Sequence, residues 1–165
     1  MSHKHTISVL VENEFGVLAR VAGMFAARGY NIDSLSVAPT SDPRYSRMTI
    51  LTSGSELIIE QILKQLNRLL DTVKVQDLTG ESFISREMIL VKVKSSTASE
   101  SGVLTIAENY KAKVVDKSPE SITLEYTGEH EKVNSLLSEL LPFGVLEDVR
   151  TGAVAIQKGK AHIDG

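Results

Sequence analysis

The order of apolar patterns along this chain occurs twice, and a chain built from two copies of one element order has few folds open to it. In the first half, Thr6 to Val11 is a short β-rich run. Val17, Leu18, Val21, Met24 and Phe25 then fall at helical spacing as far as Arg28. Gly29 follows the last helical turn, where a left-handed cap is wanted, and Ile32, Leu35 and Val37 mark a second strand over 31–38. The step from Ile32 to Leu35 breaks strict alternation and predicts a bulge. Pro39 and Pro43 bracket a polar loop, after which 47–52 alternates with Met48 and Ile50 on one face. Ser53 with Glu56 reads as a capping box for a helix whose apolar stripe is Leu57, Ile58, Ile62, Leu63, Leu66, Leu69 and Leu70. Val73 and Val75 close the half as a fourth strand.

Residues 87–94, 101–110, 113–117, 121–127, 129–141 and 145–150 then repeat the order strand, helix, strand, strand, helix, strand. Gly16, Val17 and Leu18 recur as Gly102, Val103 and Leu104 at what reads as the corresponding helix start. A βαββαβ unit is the split-βαβ plan, an antiparallel sheet covered on one face by two helices. The expected fold is therefore α+β, two tandem ferredoxin-like βαββαβ domains. The expected boundaries are 4–78 for the first, 79–84 for a linker, 85–157 for the second, and 158–165 for a fraying tail. Length alone suggests one domain for 165 residues. Units half that size bury only about 60–65% of their unfolded surface and leave open sheet edges, so association with another chain is expected.

Composition narrows the function classes. The chain has no cysteine, which excludes disulfides, thiolate metal sites and thiol catalysis and suits a cytoplasmic setting. No apolar run reaches membrane-spanning length, and the first six residues lack a signal-like apolar core. A net charge of −3 and 5% aromatic residues argue against a nucleic-acid partner. The first 78 residues balance eight basic against eight acidic residues, so the net charge sits in the second half.

Catalytic signatures are absent: GxGxxG, a phosphate loop, HExxH and GxSxG do not occur. His3, His5 and His162 lie near the ends of the chain, and His130 at the expected exposed start of a helix. Neither a Ser-His-Asp triad nor a metal site has a framework, and His3 and His5, although at strand spacing, read as solvated. Glu12 and Glu14 read as exposed loop charges rather than an acid/base pair. The suggestive place is the loop from Glu12 to Leu18. A glycine entering a helix leaves first-turn N–H groups uncovered, and these suit a carboxylate or phosphate. Asn13 and Asn31, taken to point toward the same end of the sheet, can grip an amino acid's ammonium and carboxylate. The same residues read equally as turn formers.

The run Val11, Glu12, Asn13, Glu14, Phe15, Gly16, Val17, Leu18, Ala19, Arg20, followed by Arg28, Gly29, Tyr30, Asn31, Ile32, Asp33, Ser34, Leu35, closely resembles the ACT domain of the acetolactate synthase (acetohydroxyacid synthase) small-subunit family. Val37, Ala38, Pro39, Thr40 and Ser46, Arg47, Met48, Thr49, Ile50 are also similar to it. The match is strong from residue 4 to about 80 and looser through Arg86 to Val93. It implies an N-terminal ACT domain, a C-terminal ACT-like domain and no catalytic residues. The implied role is that of a regulatory subunit in branched-chain amino-acid biosynthesis, which activates a separate catalytic large subunit. The resemblance also implies feedback inhibition by valine, with leucine or isoleucine as alternatives, bound between the ACT domains of a homodimer. Asn13, Gly16, Val17 and Leu18 of one chain and Asn31 and Ile32 of the neighbouring chain would form the site. Phe15 departs from the small residue of the family pattern. Thiamine diphosphate, Mg and FAD are expected on the large subunit, with no cofactor in this chain.

Burying an isopropyl group contributes about 1.5–3 kcal/mol and each charged hydrogen bond about 1.5–3 more. Against association costs, that gives valine an affinity of about 10–100 µM. The competing readings are a stand-alone ACT sensor acting on another enzyme or on transcription, an RNA-binding ferredoxin-like domain, and a small enzyme. The strands lack the aromatic and basic residues that the second requires, and the third lacks a nucleophile and base.

Overall fold

A computed structural model of the chain describes residues 2–163. The chain forms two compact units. The first contains the residues up to Ile84 together with those from Ala153 on, and the second is Ser85–Gly152.

The sheet of the first unit contains β1 (His3–Glu12), β2 (Ser34–Pro39), β3 (Tyr45–Gly54) and β4 (Thr72–Asp77), in the antiparallel order β2-β3-β1-β4. Helices α1 (Val17–Ala27) and α2 (Glu56–Arg68) complete the βαββαβ order. Alternation sends Ile7, Val9 and Val11 of β1 and Met48 and Ile50 of β3 to one side. There they join Val21, Phe25, Ile59, Ile62 and Leu66 in one core. Helix α1 ends as its sequence predicts. Gly29 has φ +68°, its N–H donates to Ala26 O, and Tyr30 N–H donates to Phe25 O, a Schellman motif. The Phe25 and Tyr30 rings meet edge to face with centroids 6.2 Å apart, supplying the apolar contact that accompanies such caps.

Three local expectations are corrected. Ser53 does not cap α2; it lies in β3 and its hydroxyl donates to Asp33 Oδ2, while Ser55 is the cap and accepts from Ile58 N–H. The bulge foreseen between Ile32 and Leu35 is absent. The β2–β3 register runs unbroken from Ser34↔Leu51 to Pro39↔Ser46, because the chain enters the sheet only at Ser34, and the irregularity falls at Leu10/Val11 against β4 instead. The apolar stripe of α2 is narrower than it reads: Ile59, Ile62 and Leu66 are buried, whereas Leu57, Ile58 and Leu70 are exposed.

The second unit repeats the plan with β5 (Phe83–Lys94), α3 (Glu100–Tyr110), β6 (Lys113–Lys117), β7 (Ser121–Gly128), α4 (His130–Leu140), a 3₁₀ turn at Leu141–Phe143 and β8 (Val145–Arg150). Its order is β6-β7-β5-β8, and Ile89, Val91, Val93, Ile122 and Leu124 pack against Val103, Val133, Leu136 and Leu140. The fold is thus two tandem ferredoxin-like domains.

A further strand, β9 (Val154–Gln157), pairs with β5, and Lys158 N–H donates to Ser82 O. Residues 153–157, read from sequence as the end of the second domain, belong to the first unit. There Ala153 N–H donates to Ser34 Oγ, and Gln76 Nε2 donates to Gln157 Oε1. This segment lies on the sheet face opposite the helices, where Ser8, Leu10, Thr49 and Leu51 are buried. Among the described residues, no helix is long and apolar enough to cross a membrane.

Candidate functional site

The loop from β1 into α1 opens a helix without covering its first turn. Gly16 takes the N-cap position with φ +78°, a left-handed conformation that glycine adopts without penalty, and no side chain caps the helix. Arg20 N–H is the first to bond back, to Gly16 O. The N–H groups of Val17, Leu18 and Ala19 have no acceptor among the described residues. Three donors on the positive end of the helix dipole therefore face outward, a ready seat for a carboxylate. The loop itself is held firmly. Glu12 N–H donates to Asp71 O and Asn13 N–H to Arg44 O. Asn13 Nδ2 donates to Pro43 O, Arg20 Nη2 to Phe15 O, and Arg20 Nε to Asp71 Oδ2 at 2.6 Å. The hydrogen bond to Asp71 raises the pKa of Arg20, so its charge is secure. Phe15 is fully exposed and Leu18 half exposed, while Val17 is in the core.

Asn13, Gly16, Val17 and Leu18 thus converge. Asn31 and Ile32 do not join them, and the expectation that both asparagines point to one end of the sheet is wrong for a single chain. Asn13 adjoins Glu12, which pairs with Tyr45 at the start of β3, whereas Asn31 O accepts from Thr52 Oγ1 near the end of the same strand. Seven strand residues separate those levels, roughly 23 Å. The reason is topological: β2 starts where β1 starts and ends where β1 ends. Asn31 Nδ2 donates to Asp33 Oδ1.

The repeated Gly-Val-Leu tripeptide has different roles in the two units. Helix α3 begins at Glu100, a turn earlier, so Gly102 and Val103 N–H both donate to Ser99 O. Gly102 is required by packing instead, since a Cβ there would lie 2.7 Å from the Phe143 ring. The second unit therefore has no open counterpart of the Gly16 turn.

Other polar residues are better placed than the sequence suggested. His5 is buried, not solvated, and its Nδ1 lies 2.8 Å from Asp77 Oδ2. His130 is not an idle surface group: it and Arg150 hold the carboxylate of Glu87, which is only 2% exposed. A signal for His5 was present, since it shares a face with Ile7 and Val9. Glu12 and Glu14 are exposed as expected, and among the described residues no cluster of His, Asp or Glu is arranged to hold a metal.

Two ferredoxin-like units, one with a glycine-opened turn at its first helix, have the build of an ACT-type regulatory protein. The family described as small subunit of acetolactate synthase matches residues 86–159, and the small-subunit-like ACT domain of the same enzyme matches 7–74. The chain is 48% identical over 156 residues to the acetolactate synthase small subunit of Aquifex aeolicus, covering 94% of this chain and 81% of that one. It is 45% identical over 159 residues to that of Mycobacterium bovis, covering 96% and 95%. The crystal structure of the Thermotoga maritima acetolactate synthase small subunit superposes with a TM-score of 0.86 at 35% identity, over 96% of this chain and 99% of that one. The chain belongs to the acetolactate synthase small-subunit family.

Proposed function

We propose that this chain is the regulatory subunit of acetolactate synthase in branched-chain amino-acid biosynthesis, that it activates a thiamine-diphosphate-dependent large subunit, and that it carries feedback inhibition by valine at a seam between two ACT domains. The observation that carries this reading is the opposite placement of the two halves of the site. Strand β2 is a sheet edge, short and partly exposed. A two-fold axis that pairs β2 with its own copy in antiparallel fashion sets the start of one β2 beside the end of the other. Asn31 and Ile32 of the partner subunit then reach the end at which Asn13 and the Gly16 turn stand. One chain provides half a site at each end, and the dimer completes two.

In this arrangement the valine carboxylate takes the N–H groups of Val17 to Ala19, the asparagines meet the ammonium, and Leu18 and Ile32 flank the isopropyl group. Inhibition requires valine to favour one arrangement of the dimer by about 1–3 kcal/mol in its coupling to the large subunit. The test is acetolactate formation by the purified large subunit with and without this chain, followed by a valine titration. Activation that valine reverses supports the reading. An inert chain that binds valine points to a free-standing ACT sensor.

A further inference from the structure

The sheet face opposite the helices of the first unit carries a feature that the valine site does not use. Arg47, on β3, points to that face between Leu10 and Ala38 and is half buried. Burial lowers its pKa, which means that its charge is poorly solvated. Its Nε donates to Ser8 Oγ at 2.6 Å and its Nη2 to Ala155 O at 3.2 Å, and no carboxylate pairs with it among the described residues. Two of a guanidinium's five N–H donors are committed; the others have no acceptor there. Such a group, locked in place and short of a counter-charge, is a receptor for one.

Two cavities share Arg47 and Thr40. One, of about 460 Å³, is polar, with Ser41, Arg44 and Tyr45 in its wall; the other, of about 250 Å³, is lined by Ala38, Pro39, Val154 and Ile156. Arg44 adds no net charge, because it forks onto both oxygens of Asp42 and holds that carboxyl down at about 2. Asp42 is for the same reason not free to receive an ammonium group. Among the described residues, the pair of cavities therefore offers one unmatched cation beside an aliphatic wall and no second unmatched charged side chain. We infer that this cleft is a second binding site, for a small aliphatic monocarboxylate, with Arg47 receiving the carboxylate and Ala38, Pro39, Val154 and Ile156 receiving the hydrocarbon.

The test uses the full chain, calorimetry, and four probes: isovalerate, acetate, inorganic phosphate and valine. Isovalerate should bind saturably, about tenfold or more tighter than acetate because of its added methylene and methyl groups. Arg47→Gln should weaken it by about tenfold or more, with Arg47→Lys in between, since a carboxylate prefers the guanidinium fork. Should Arg47→Gln fail to fold, Ile156→Asp at an exposed position places a like charge in the wall and should abolish binding. Excess valine should not displace isovalerate. The inference is overturned by absence of saturation below about 10 mM, by phosphate binding as tightly as isovalerate, by displacement with valine, or by Arg47 and Ile156 variants that bind like the parent chain.

Discussion

Gly16→Asp should abolish valine control while leaving the domain folded, and the structure supplies both halves of that expectation. An L residue held at φ +78° costs about 1–2 kcal/mol. The new Cβ meets the Arg20 guanidinium, Nη1 at 2.9 Å and Cζ at 3.7 Å, the half-exposed end of a long side chain that has room to shift. Against a domain stability of about 5–15 kcal/mol, the fold survives. The charge is the larger effect. Two like charges 4 Å apart at an effective dielectric near 20 repel by about 4 kcal/mol, which is roughly a thousandfold in affinity. Valine that binds at about 10–100 µM would then need more than ~10 mM. Gly16→Asn adds the same Cβ and tolerates the left-handed backbone about as well, so it isolates the charge and should lose far less. The assay is acetolactate formation by the assembled enzyme under a valine titration, with thermal melts of each variant. Inhibition of Gly16→Asp at valine concentrations within about threefold of the parent would refute the carboxylate seat. Equal resistance of Gly16→Asn would show that backbone strain, not charge, is responsible.

Asn31→Ala should weaken valine binding about tenfold through one lost polar contact; unchanged calorimetric affinity would remove Asn31 from the site. Glu87→Gln should destabilise the chain by about 2–3 kcal/mol in a denaturant titration, less than the 3–5 of a fully buried pair, because the Arg150 and His130 side chains keep 26% and 21% exposure. Burial pushes the Glu87 carboxyl up, but the hydrogen bonds from Arg150 and His130 outweigh it and hold the pKa below its ordinary value. Its contribution is therefore complete above the unfolded value near ~4.3 and fades as pH falls through the lower folded value; the Gln variant should lose stability less steeply in acid. Gly29→Ala, at φ +68° with nothing within 4 Å of a new Cβ, should cost about 1 kcal/mol by strain alone, read as a shift in the denaturation midpoint.

Most of the fold was legible because the elements with strong periodicity are also the ones that make the core. Val21, Phe25, Ile62, Leu66, Leu136 and Leu140 are all buried where the spacing put them. The errors lie where two signals competed at short range. Ser53 and Ser55 both precede the helix, and only the length of β3, extended to Gly54 by its pairing with His3, decides that Ser55 is the cap. Val154 to Gln157 read as the end of the second domain, because four residues have no periodicity of their own; their place depends on a face of β1 and β3 that sequence alone does not show to need cover. The loop half of the proposed effector site was legible, since Gly16 and the uncovered turn follow from local rules. The position of Asn31 was not, because it depends on which end of an antiparallel sheet β2 enters.

The two units show what their shared plan needs and what it leaves free. His5 stands two residues before Ile7, which pairs with Asp77 at the end of β4; Glu87 stands two residues before Ile89, which pairs with Arg150 at the end of β8. Each of these buried groups bonds to that strand-end partner and also faces the start of the second helix of its unit, Glu56 in one case and His130 in the other. The corner is the same and the roles are exchanged, a histidine between two acids in one unit and an acid between an arginine and a histidine in the other. Both units thus keep a hydrogen-bonded polar centre at this corner with different residues, because pairing is what offsets desolvation. The helix start follows the contrary rule. Both units have the Gly-Val-Leu tripeptide and an edge strand after their first helix, β2 or β6, yet only the first unit begins its helix late enough to leave the N–H groups of that Val-Leu pair open. One extra turn on α3 covers the N–H groups of Gly102 and Val103, so the open Val-Leu turn beside a sheet edge is a feature of the first unit, and it is there that the proposed effector site falls.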